Sequence, residues 1–163
     1  VRAGKAIRFH EETVRAVGRT ASGVKGVTLG GPKDEVVGMV TAKPGEQDIL
    51  VISENGFGKR SILEDYRFTN RGGKGVKTIN ITDKTGNLIA MKAVTDDDDL
   101  MIITENGIAI RLAVRAVRVM GRNTQGVRLI NLRDGDQIAA ATQVPAHNDN
   151  GEDNNAEDEA VEE

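Results

Sequence analysis

The sequence predicts an all-β, propeller-like fold built from four-stranded antiparallel modules. Three observations carry that prediction: a repeat of 51–52 residues, Asn-Gly turns between short aliphatic runs, and no long stretch of helical periodicity. The repeat is anchored at Gly23-Val24-Lys25, Gly75-Val76-Lys77 and Gly126-Val127-Arg128, which stand 52 and 51 residues apart. Glu54-Asn55-Gly56 returns 51 residues on as Glu105-Asn106-Gly107, and Gly4 precedes Gly56 by 52. A strand expected around Met39 is echoed at Met91 and loosely at Ala140. Periods in this range mark modules that stack or are arranged around an axis.

The elements follow in order within each module. The aliphatic run 49–53 and the run 58–63 flank Glu54-Asn55-Gly56, and an Asn-Gly pair so placed predicts a hairpin with a type I′ turn. The runs 100–104 and 108–112 repeat the pattern around Asn106-Gly107. Later strands are expected at 76–81 and 88–94, joined by the turn Asp83-Lys84-Thr85-Gly86-Asn87. Four short strands per module correspond to a propeller blade, and the repeats run over about 1–45, 46–97 and 98–144. The chain begins with Val1 rather than Met, and Gly4 occupies a turn position. The first strand of the first hairpin is therefore expected upstream. Three blades fall short of the roughly four to eight that close a ring, so the sequence reads as the C-terminal part of a longer chain.

The 163-residue composition narrows the function classes. There is no cysteine, hence no disulfide framework and no thiolate chemistry, which fits a reducing compartment. Two histidines, His10 and His147, leave little for triads or metal sites, and His10 reads as a surface or strand histidine. No apolar run reaches membrane-spanning length. Aromatics make up only 2%, so the core must be aliphatic. Nineteen glycines against three prolines suit many tight turns.

Net charge is −3, but from Pro145 onward there are 8 acidic residues and no Lys or Arg, leaving +5 on the rest. The segment 145–163 is too polar to bury a core and is expected to be a disordered acidic tail. Tethered to a basic body, it is expected to act as an autoinhibitory polyanion that competes with an anionic ligand.

No catalytic or metal constellation is found. Arg71-Gly72-Gly73-Lys74-Gly75 leads into a strand, not into the helix N-terminus that a phosphate loop requires. The four carboxylates Asp96, Asp97, Asp98 and Asp99 lack the spacing of a calcium loop and read as a solvated turn. Basic residues, by contrast, recur in register. Arg19, Arg71 and Arg122 precede the anchors, and Lys25, Lys77 and Arg128 close them. Lys74 joins the middle copy, and Lys5 with Arg8, Lys59 with Arg60, and Arg111 follow the hairpin turns. Around an axis, one positive spot per blade becomes a belt, a sequence-independent track for the backbone of bent double-stranded DNA. Single-stranded nucleic acid would call for stacking aromatics in register, and none repeats. The Trp-containing signatures of common protein-interaction propellers are absent too.

Four strings carry a resemblance: Val14-Arg15-Ala16-Val17-Gly18-Arg19, Gly56-Phe57-Gly58-Lys59-Arg60, Arg71-Gly72-Gly73-Lys74-Gly75-Val76-Lys77, and Val119-Met120-Gly121-Arg122-Asn123-Thr124-Gln125-Gly126-Val127. Residues 1–144 resemble the C-terminal domain family of the bacterial DNA gyrase A protein. The resemblance implies a six-bladed β-pinwheel with exchanged blade strands, of which these would be the last three blades. It implies DNA wrapping on a basic perimeter, as a non-catalytic part of an ATP-dependent type II topoisomerase that introduces negative supercoils. It also implies an A2B2 assembly that joins the rest of gyrase A to gyrase B, ATP and Mg2+ used through other regions, and a cytoplasmic, nucleoid-associated location. Tyr66 does not match the family's catalytic tyrosine motif. The family's wrapping box reads Gln-Arg-Arg-Gly-Gly-Arg/Lys-Gly in its first blade; Thr69-Asn70-Arg71-Gly72-Gly73-Lys74-Gly75 lacks the Gln and one Arg and resembles a degenerate copy. The alternatives are the related C-terminal domain of the topoisomerase IV A protein and a protein-interaction β-propeller without a DNA role.

Overall fold

The computed structural model describes residues 1–145, and the acidic tail read from the sequence lies outside them, apart from Pro145. The described chain is all β. Its strands are β1 (Lys5–Ala6), β2 (Asp48–Ser53), β3 (Phe57–Ile62), β4 (Val76–Lys77), β5 (Leu88–Val94), β6 (Asp98–Thr104), β7 (Ala109–Ala113), β8 (Val127–Arg128) and β9 (Ile138–Pro145). Single 3-10 turns at Glu11–Thr13, Leu63–Asp65 and Val114–Ala116 interrupt the three repeats at corresponding points.

The middle repeat builds one full four-stranded sheet in the order β5-β2-β3-β8, antiparallel throughout. Its outermost strand, β8, comes from the following repeat. The same exchange pairs β4 of the second repeat with β1 of the first. The third repeat forms the sheet β7-β6-β9. Each Gly-Val strand thus completes the sheet of its predecessor and stitches neighbouring blades together.

The expected hairpins form, but with a different turn. Among the described residues none other than glycine has positive φ, so Asn55 and Asn106 cannot supply the second left-handed position that type I′ needs. The Gly56 amide instead donates to Ser53 O, Gly107 donates to Thr104 O, and both glycines are left-handed, with φ of 82° and 80°. This is the three-residue hairpin loop, a turn closed by a glycine bulge.

Two expected strands are shorter or missing. The run 76–81 contributes only Val76–Lys77 to a strand, because beyond it Thr78 and Ile79 turn inward and are buried. The segment around Met39 is not a strand. Its counterparts β5 and β9 pair with β2 and β6, but among the described residues no strand pairs with the segment around Met39, and Met39 is exposed.

The core lies between blades. In β2, Leu50 and Ile52 pack with Leu100, Ile102, Val114 and Val117, while Ile49 and Val51 pack on the other face with Leu63, Tyr66 and Ile79. A strand buried on both faces reads as an uninterrupted apolar run, and β2 does. In β6 Leu100, Ile102 and Thr104 are buried, whereas Ile103 is 41% exposed, because among the described residues nothing packs on its outer face.

Candidate nucleic-acid interface

The recurring basic residues fall into three structural classes. The first forms the seams. Arg71 donates from Nη1 to Lys25 O at 2.6 Å, and Arg122 donates from Nη1 to Lys77 O at 2.7 Å. Each guanidinium is held on the backbone of the anchor lysine one repeat earlier, so the same arginine-to-backbone contact recurs at both of these blade junctions. Lys25, Lys74, Lys77 and Arg128 are exposed, Arg71 and Arg122 are half-buried, and Arg19 is exposed. Arg128 also lies over the Phe57 ring, 5.3 Å from its centroid, with Lys84 at 5.4 Å.

The second class holds blades together, and here the structure corrects the sequence reading. Lys59 and Arg60 are expected on the DNA track but are buried, Lys59 with 0% exposure. Lys59 Nζ donates to Gly121 O and Arg122 O, both at 2.6 Å, and to Thr124 Oγ1 at 3.1 Å. Arg60 donates to Val117 O at 2.9 Å and binds the carboxylates of Asp96 and Asp48. Arg8, its counterpart one repeat earlier, donates to Leu63 O and Tyr66 O and stacks on Phe68. Both arginines saturate the carbonyls of the next blade's 3-10 turn, which is their physical reason for recurring. Arg111 occupies the same register but binds Asp99 and Pro145 O within its own blade. Lys59 and Arg60 are buried and Arg8 is half-buried, whereas Arg111 stays exposed on the surface while paired with Asp99.

The acidic run is likewise in use. Asp96 binds Arg60, Asp99 binds Arg111, and Asp98 accepts from the amide and hydroxyl of Thr95. The expected solvated turn is present at Asp96 and Asp97, both exposed, whereas Asp98 and Asp99 belong to β6. Among the described residues no group of three or more His, Cys, Asp or Glu is arranged to hold a metal ion. Tyr66 is buried with its hydroxyl on Thr78 Oγ1, and burial raises its pKa.

The third class was missed from sequence. Arg15, Arg67 and Arg118 are spaced by 52 and 51 residues, as the glycine anchors are, and all three are exposed. The recurrence was available as a signal, but these arginines lie before the seam motif and outside the Gly-Val strings that drew attention. The cross-strand neighbours add another feature: Lys5 pairs directly opposite Lys77, so two ammonium-bearing chains share one position in a ladder.

The family model described as "DNA gyrase C-terminal domain, beta-propeller" matches residues 2–43, 47–95 and 98–145. The chain belongs to this family. As a member of the gyrase C-terminal domain family it is similar to the DNA gyrase A protein of Staphylococcus aureus, 48% identical over 154 residues covering 94% of this chain and 17% of that protein. It is also similar to the DNA gyrase A protein of Staphylococcus epidermidis, 46% identical over 145 residues covering 88% of this chain and 16% of the relative. The chain therefore spans about a sixth of the length of these relatives. Among solved structures, a DNA gyrase A C-terminal domain superimposes with a TM-score of 0.79 at 26% identity, covering 87% of this chain and 48% of that one. The C-terminal domain of a DNA topoisomerase IV superimposes with a TM-score of 0.80 at 24% identity, covering 89% and 45%, and shares the fold. No helix among the described residues is long and apolar enough to cross a membrane.

Proposed function

We propose that this chain is a non-catalytic DNA-wrapping region of a gyrase A protein, binding the backbone of double-stranded DNA without reading its sequence. The observation that carries this reading is the seam. Arg71 meets the backbone of Lys25 and Arg122 that of Lys77 by the same hydrogen bond, so a fixed arginine next to an exposed anchor lysine recurs from one seam to the next. A duplex following the blades meets phosphate-neutralising charge at regular intervals, and that is what bends and holds it. Lys74, Arg128 and Arg19 extend the positive line, and the exposed arginines Arg15, Arg67 and Arg118 are added to it.

In the whole enzyme the wrapped segment would be presented for strand passage, with ATP and Mg2+ handled by other regions and by gyrase B in an A2B2 complex. The cytoplasmic, nucleoid-associated location follows from that role. The test is duplex binding by the full 163-residue chain across a salt series. A log-log slope of several units with no dependence on sequence supports the reading, because each phosphate neutralised contributes about 0.9 to the slope. Salt-independent binding, or none, refutes it.

A further inference from the structure

Lys59 is an exception within its own register. The equivalent positions in the first and third repeats are Ile7 and Ile110. The loop that covers it is an exception too. In the second repeat the corresponding loop contains Gly72 and Gly73, with Gly72 left-handed at φ 83° and its amide donating to Gly26 O. In the third repeat these positions are Asn123 and Thr124, and no left-handed residue stands there. The third loop is instead pulled inward by its carbonyls, with Gly121 O and Arg122 O both 2.6 Å from the buried Lys59 Nζ.

That arrangement fixes the amides. No peptide bond in the described chain is cis, and in a trans peptide the N–H points opposite to the C=O. With the carbonyls of Gly121 and Arg122 turned to Lys59, the N–H groups of Arg122 and Asn123 point away from it, toward the surface. Neither amide donates to any protein group among the described residues. Asn123 is exposed, while the Arg122 guanidinium is held by Lys77 O and lies 5.8 Å from the Tyr66 ring centroid. Successive outward amides form a concavity suited to an anionic oxygen. A buried ammonium beneath the loop also makes the outer amides better donors by polarising the intervening peptide units.

We propose that loop 121–124, locked from beneath by Lys59, is a preorganised phosphate-oxygen site formed by the amides of Arg122 and Asn123. It rests on the DNA-backbone reading above for its natural ligand, a phosphodiester of the duplex. Lys59 is a positioning residue in it and does not touch the ligand. The second repeat shapes its loop with a left-handed glycine; the third shapes a different loop with an internal cation.

The test uses the full chain, isotope-labelled, titrated separately with inorganic phosphate and with a random duplex. The Arg122 and Asn123 amide resonances are expected to move saturably with both, ahead of other amides. Lys59→Ile, which installs the residue found at positions 7 and 110, is expected to fold, to abolish the phosphate-induced shifts, and to lower the duplex salt slope by about one unit. Wild-type amides that stay still under both titrations overturn the proposal, as does a Lys59→Ile chain that keeps both the shifts and the slope. If Lys59→Ile does not fold, the wild-type titrations alone decide. Failure of the wrapping function is distinguishable: duplex binding is then absent, and the inorganic phosphate titration still supports or overturns the site.

Discussion

Lys5 and Lys77 face each other directly across the β1–β4 ladder, a like-charge pair at one blade seam. At the next seam the same position pairs Phe57 with Arg128, and the guanidinium rests over the ring. Like charges placed opposite in a ladder destabilise it. A polyanion lying across the seam offsets that repulsion. Lys5→Phe, which copies the neighbouring seam, is therefore expected to raise stability in the absence of DNA by about 0.5 kcal/mol. It is also expected to weaken duplex binding. Thermal melts with and without duplex check both directions, and a variant that gains stability without losing affinity separates Lys5 from the binding surface.

Replacing Arg71, Lys74 and Lys77 together with Ala is expected to reduce duplex affinity and to lower the salt slope by up to about three units, one per phosphate contact. Arg67→Ala with Arg118→Ala should lower it further by about two. Filter binding over a range of salt concentrations gives the slopes. An unchanged slope in a folded triple variant removes the seam cations from the interface.

Arg60→Met should behave in the opposite way. Its guanidinium is buried against Asp48, Asp96 and Val117 O, so its loss leaves acceptors and a partly buried carboxylate without a partner. The expected cost is roughly 3 kcal/mol of stability with the salt slope of the remaining folded protein unchanged. Denaturant titration paired with binding below the melting transition measures the two separately.

Gly75→Val and Gly126→Val are each expected to cost more than about 2 kcal/mol. Both glycines have positive φ, 70° and 82°, and a Cβ there would lie 2.5 Å from Ala6 O and 2.6 Å from Gly58 O. Gly23 has a φ of 79° but open space around it, so Gly23→Val should lose only the backbone term of about 1–2 kcal/mol. Equal losses at the three positions would show that close strand approach contributes nothing.

The last prediction concerns pH. Burial, with the nearby Arg122 charge as a second cause, lowers the Lys59 pKa from 10.5 to about 8. The native chain releases this proton near pH 8, while the unfolded chain keeps it to above pH 10. Between those values the unfolded state binds more protons, so this residue's contribution to stability rises with pH, by up to about 3 kcal/mol. Comparing wild type with Lys59→Ile by denaturant titration at about pH 7 and about pH 10 isolates the effect. A difference that moves the other way with rising pH would contradict the sign.

Much of the architecture was legible because the repeat put the same turn and the same strand in register. β5 begins and ends where the aliphatic run does, and Asn-Gly marked both hairpins. The chemistry of β3 was not legible. Phe-Gly-Lys-Arg-Ser-Ile looks like a solvated strand after a turn, yet five of its six residues are buried, because the loop and strand of the following repeat lie over it. Local sequence does not announce a partner that arrives some 60 residues later. Nor did recurrence distinguish an arginine that saturates carbonyls, as Arg8 and Arg60 do, from one that stays in water, as Arg67 and Arg118 do. Both kinds recur at the same interval, and only the packing tells them apart.

The exchange of outer strands also sets how the chain would respond to being cut. The exposed residues Asp96 and Asp97 link the second blade to the third. A nick there would not free the third, since β8 remains in the ladder with β3 and Lys59 remains bound to the loop above it. The smallest piece that can come apart cooperatively is thus larger than a blade, and a pull on one blade is shared with its neighbour through main-chain hydrogen bonds loaded in shear. Covalent continuity and structural continuity are offset by one strand, as the courses of a bonded brick wall are offset by half a brick, so no single break in the backbone coincides with a joint.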